Sequence, residues 1–122
     1  MKNKLFFISV LACILIFSMV FISCSNPYGG GTYTVIYQIT GPQTIADHVT
    51  YSNETGNFDS ITIVPIPWEK TITVQGGYAV GCSATIYSST GSTYTAKIFI
   101  NGKEKFSSSS STGHVSVTGV VQ

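Results

Sequence analysis

From Thr32 to the C-terminus apolar residues frequently alternate at period two, and no stretch shows the 3.6-residue period of a helix. Strict alternation places successive side chains on opposite faces of an extended chain, so this segment reads as half-buried β-strands. In the first strand Tyr33, Val35, Tyr37 and Ile39 share one face, while Thr32, Thr34, Ile36 and Gln38 share the other. Gly41-Pro42 ends it, because proline lacks an amide hydrogen and both residues favour turns. A second, weaker strand covers Ile45 to Tyr51, and the turn-rich run Ser52-Asn53-Glu54-Thr55-Gly56-Asn57 separates it from a third, Ser60 to Ile66. Pro65 and Pro67 cannot donate to a ladder, so the third strand lies at a sheet edge or leaves the sheet there.

Further along, Thr71 to Gln75 points Ile72 and Val74 inward and Gly76-Gly77 forms a tight turn. Tyr78, Val80, Cys82, Ala84 and Ile86 then make the longest inward row, and Ser88 to Ser92 is a turn around Gly91. Tyr94, Ala96, Ile98 and Ile100 line the next strand. Asn101-Gly102 follows at once, and both residues tolerate the positive φ of a type I′ hairpin. Lys103 to Ser108 is a polar return strand suited to an edge; after Ser109 to Gly113, His114 to Val121 closes the chain. The expected fold is all-β: seven or eight short strands in a two-sheet sandwich of immunoglobulin-like size, with a closed barrel as the alternative.

The segment before Thr32 carries a different message. Lys2 and Lys4 precede an apolar run from Leu5 to Ile22 that is interrupted only by Ser9 and Ser18, the charge and hydropathy pattern of an export signal. The run ends in Phe21-Ile22-Ser23-Cys24, which resembles a bacterial lipoprotein signal whose Cys24 thiol is acylated. Residues 1–23 are then a signal helix, with an uncleaved membrane helix as the rival, since 18 helical residues rise about 27 Å. Residues 24–31, with Pro27 and three glycines, form a tether, and residues 32–122 form the domain. With Cys24 lipidated, Cys82 has no partner and reads as a small buried hydrophobe.

Removal of residues 1–23 leaves four lysines against five acids, a balance of 4 − 5 = −1, which argues against a phosphate-neutralising nucleic-acid surface. His48 and His114, with Asp47, have no close ligand spacing, so neither a metal nor a cofactor is expected. No Gly-x-Ser-x-Gly elbow occurs and the acids are scattered, so the domain reads as non-enzymatic. The Asn53-Glu54-Thr55 glycosylation pattern is taken as chance. Pro65-Ile66-Pro67-Trp68 is the most individual stretch: two prolines stiffen the backbone around the single tryptophan. Trp68 either caps the core where the strand turns or anchors a partner.

The ordered set Tyr33-Thr34-Val35-Ile36-Tyr37 with Gly41, Val49 to Asn53, Pro67 to Ile72, Ala79 to Ala84, Ile98 to Lys103 and Ser111 to Gly119 resembles the MmpS family of mycobacterial small membrane proteins. The resemblance spans about Thr32 to Gly119. It implies a β-sandwich held outside the cytoplasmic membrane as a non-enzymatic accessory of resistance-nodulation-division (MmpL-type) exporters of lipids or siderophores. Family members carry a retained N-terminal membrane helix and often a cysteine pair, whereas this chain has Cys24 and a single domain cysteine. The expected protein is therefore a membrane-anchored component of the bacterial envelope, with its domain in the periplasm or outside the cell. It acts either alone as a binding or structural lipoprotein or as a transporter accessory.

Overall fold

The computed structural model describes residues 31–87 and 91–122; the expected signal helix, Cys24 and the tether up to residue 30 lie outside the described residues. Eight strands follow in chain order: β1 (Thr32–Thr40), β2 (Ile45–Ser52), β3 (Phe58–Pro65), β4 (Trp68–Gln75), β5 (Ala79–Thr85), β6 (Tyr94–Ile100), β7 (Lys103–Ser110) and β8 (His114–Val120). They form two four-stranded antiparallel sheets with strand orders β4-β1-β6-β7 and β3-β2-β5-β8. Only β2–β3 and β6–β7 are hairpins within one sheet; every other connection crosses from one layer to the other. An immunoglobulin constant domain pairs its first, second, fifth and fourth strands in one sheet. The likeness to that fold is therefore one of size and layering, not of strand order.

The alternation read from the sequence is what builds the core. Val35, Tyr37 and Ile39 of β1 and Tyr94, Ala96, Ile98 and Ile100 of β6 face Val49 and Tyr51 of β2, Val80, Cys82 and Ala84 of β5, and Val115 and Val117 of β8. The layers meet along β7 and β8, where Phe106 lies over Gly119; a Cβ at that glycine would clash with the edge of the ring. Among the described residues β3 and β4 make no comparable approach, so the sandwich is closed along one side and open along the other.

The third strand is an edge, as its prolines require, and Lys103–Ser110 is an edge as well. Asn101 (φ 50°) and Gly102 (φ 79°) form the expected hairpin turn, and the Thr34 amide donates to Asn101 Oδ1 at 3.0 Å, tying the turn to β1. Two expectations need correction. Tyr78 is not part of the inward row: β5 begins at Ala79, and Tyr78 lies in the crossing after Gly77, where its carbonyl accepts from the Val121 amide at 2.9 Å and its ring is 39% exposed. The fourth strand begins at Trp68 rather than Thr71, because Ile39 and Gln38 of β1 extend the ladder to Trp68 and Glu69.

Candidate functional site

The stretch from Pro65 to Trp68 carries the chain from one sheet to the other. Ile66 is buried between the layers and its amide donates to the Thr44 carbonyl at 2.8 Å, which pins the crossing. Pro65 and Pro67, on either side, are both exposed. Trp68 is half-buried and turned toward the core, its ring 5.5 Å from that of Tyr51, which in turn lies 6.1 Å from the ring of Tyr37. Lys70 Nζ sits 5.8 Å from the Tyr51 ring centroid, within cation–π range. The three candidate residues thus share one crossing but face different ways: two prolines outward, one tryptophan against an aromatic stack.

Pro65 does not stand alone at the surface. It pairs with Ile45, which is 50% exposed, and Ile63, two residues earlier, is 75% exposed. Tyr87, 82% exposed, is brought to the same corner because its amide donates to Asp47 Oδ2 at 2.8 Å. Ile45, Pro65 and Tyr87 therefore bring exposed apolar side chains to one corner of the second sheet, at the end remote from Gly31, with Ile63 beside them on the edge strand. Sequence reasoning did not identify Ile45, Ile63 or Tyr87. In the run Ile61-Thr62-Ile63-Val64 both phases hold apolar residues; the phase breaks at Ile63, which adopts a positive φ of 54° while Val64 turns inward. A positive φ is costly for a β-branched residue, so the surrounding ladder must hold it there.

Burial pushes the Cys82 thiol up to about 12, so at neutral pH it is held in its protonated form. His48 and His114 both pair with Thr85, from opposite sides, and Thr85 Oγ1 lies 3.2 Å from His114 Nδ1. Among the described residues no three of His, Cys, Asp and Glu gather into a group that would hold a metal ion. Asn53 uses its side chain locally: Oδ1 accepts from the Thr55 amide, the Thr55 hydroxyl and the Asn57 amide, which shapes the β2–β3 turn.

Beside that turn, Tyr51, Asn53, Glu54, Asp59 and Lys70 line a shallow depression at the open side of the sandwich. Asn53 Nδ2 donates to Asp59 Oδ1 at 3.2 Å. This opening is polar and mixed in charge, in contrast to the apolar patch around Pro65. Among the described residues no helix is long and apolar enough to cross a membrane. Compared with known proteins, the chain matches no family model and no curated relative.

Proposed function

We propose that this chain is a lipid-anchored bacterial envelope protein whose sandwich is a non-catalytic binding or structural domain. The observation that carries the reading is a positively charged, apolar N-terminal segment ending at Cys24 and joined by a few residues to a β domain. The buried, protonated Cys82 and the locally engaged Asn53 support a role in contact rather than chemistry. The partner-facing surface is the patch of Ile45, Ile63, Pro65 and Tyr87, next to Pro67, with Trp68 fixing the crossing from behind. Exposed apolar side chains clustered at one corner are the usual mark of a protein–protein contact.

A second reading follows from the resemblance to the MmpS family: the patch docks on a resistance-nodulation-division (MmpL-type) exporter as a periplasmic accessory. The similar residues include Pro67-Trp68 and the Asn101-Gly102-Lys103 hairpin. Metabolic labelling with palmitate tests the anchor. The wild-type chain takes up label and Cys24→Ser does not; label retained in Cys24→Ser refutes the lipoprotein reading. In-cell crosslinking with Ile63→Asp and Tyr87→Ser tests the surface. Recovery of one large transporter, lost in these variants, supports the accessory role; a crosslinked partner unaffected by them refutes the patch.

A further inference from the structure

The outer face of the second sheet bears another apolar surface, at the end where the chain enters the domain. Antiparallel register brings Phe58, Gly81 and Thr118 close to one row across β3, β5 and β8, with Ser52 of β2 between the first two. In an unbroken sheet each position would alternate in or out. Here Ser52 turns its hydroxyl inward to Tyr37, at 2.6 Å, and Gly81 has no side chain. The middle of the row is therefore bare. The result is an open groove whose walls include Phe58 (70% exposed), Ala79 and Val120 (46% exposed). A Cβ at Gly81 would stand 3.0 Å from Thr118 Cγ2 and 3.2 Å from the Val117 carbonyl oxygen, so a larger residue would crowd the floor. Tyr78 adjoins, its ring beside the β2–β3 turn at Gly56.

Gly31 fixes the entry point, since its carbonyl accepts from the Gly76 amide at 3.2 Å. The Gly77 amide donates to Val121 at 2.7 Å, and Val121 to Tyr78 at 2.9 Å. Chain entry, Tyr78 and the Val120 wall of the groove thus share one end. From residue 24 to Gly31 there are seven steps, which reach at most about 25 Å when fully extended. The opposite patch lies the length of β3 away, about 25 Å for eight residues. A membrane attached at or before residue 24 is thus within reach of the groove end.

We infer that the Phe58–Tyr78–Val120 surface rests on the lipid bilayer and inserts these side chains into its interface, which turns the Pro65 patch away from the membrane. This rests on the N-terminus being membrane-held, by acylated Cys24 or by a retained helix alike. Aromatic and aliphatic side chains at the level of the headgroups are the chemistry that such an interface accepts. The groove end carries no dense charge that would favour a nucleic acid or an acidic peptide; its lining is apolar apart from the Thr118 hydroxyl.

The test uses the full chain purified from expressing cells and reconstituted into phosphatidylethanolamine–phosphatidylglycerol vesicles. Phe58→Trp and Tyr87→Trp each add one fluorophore to the Trp68 background at an exposed aromatic position. Phe58→Trp is expected to add blue-shifted emission that brominated acyl chains quench several-fold more than iodide does, and Val120→Asp in that background is expected to abolish the difference. Tyr87→Trp should show the reverse preference. A Phe58→Trp signal quenched by iodide as readily as Tyr87→Trp overturns the inference, and one shielded from both quenchers overturns it in favour of a second copy over the groove. Flotation of the same vesicles separates the two claims. A chain that floats with both fluorophores in water refutes the docking alone, and one that fails to float refutes the anchor and the docking with it.

Discussion

Ser52 is the only polar side chain buried among the described core positions, 2% exposed, and its hydroxyl joins both sheets. It stands 2.6 Å from Tyr37 Oη of the first sheet and accepts from the Gly81 amide of β5 at 3.1 Å. Ser52→Ala removes that partner from two buried groups at once. An orphaned buried donor or acceptor costs about 1–3 kcal/mol, whereas a typical satisfied hydrogen bond is worth about 1. The Gly81 amide and Tyr37 Oη both border the space the hydroxyl vacates, so they can pair with one another and recover part of the loss. The expected cost of Ser52→Ala is therefore about 2–3 kcal/mol, or a fall in Tm of roughly 10–20 °C for a domain of this size. Tyr37→Phe leaves Ser52 holding Gly81 and should cost about 1 kcal/mol. The double variant should cost about 2, less than the sum, because the two side chains share one bond. Urea unfolding followed by circular dichroism reads all four corners of the cycle. A Ser52→Ala loss below about 0.5 kcal/mol, or strict additivity, would refute the account of this network.

Two further outcomes follow from buried groups. Cys82 is held protonated by burial, with its pKa pushed up to about 12, so stability is present in full below about pH 9. It is lost as pH rises through that window, by up to about 4 kcal/mol at 1.36 kcal/mol per unit. Tyr37, also raised by burial, adds to the loss above pH 10. Cys82→Ala should flatten the fall between pH 9 and 12 in pH-dependent urea titrations; an unchanged slope would show that another group dominates. Tyr94 Oη is buried without a hydrogen-bond partner among the described residues, so Tyr94→Phe is expected to raise stability by about 1 kcal/mol, and a loss of similar size would reveal a partner.

All eight strands were legible because period-two alternation reports which side chains share a face, and that information is local. Asn101-Gly102 and the edge position of the Pro65 strand were legible for a similar reason: each depends on the conformational limits of the residues themselves. What stayed hidden were the matters decided by distant partners. Nothing in the sequence distinguishes Ser52, which turns inward, from Ser60, which stays at the surface, because the choice depends on Tyr37 from the other sheet. The inward reading of Tyr78 failed where a crossing interrupted the strand phase, and Ile63 escaped notice because its run is apolar in both phases. The position of Trp68 against Tyr51 was likewise invisible, since pairing of β1 with β4 sets it rather than the flanking prolines.

The two sheets differ in what they offer to their surroundings. The outer face of the first sheet carries Thr34, Gln38, Thr71, Thr73, Thr95 and Lys97 around a half-buried apolar pair, Ile36 and Phe99, with Lys97 bonded to Glu104 at 3.1 Å. Among the described residues none of the exposed large apolar side chains lies on this face, so it gives a partner less apolar area to bury than the second sheet does. On the open side, Asp59 sits opposite the buried Tyr51, and Lys70 opposite the buried Tyr37. Each thereby places a charge at an inward register position on an edge strand. Another strand added to either edge would have to cover that charge, so these residues oppose edge-to-edge association. With both free edges on the open side guarded and the exposed large apolar side chains absent from the first sheet, contact is directed to the outer face of the second sheet. That face carries its apolar residues at its two ends, with His48, Thr50, Ser83, Thr85 and Ser116 between them. A membrane at the Phe58 end and a protein at the Pro65 end can therefore be engaged together without competing for the same side chains.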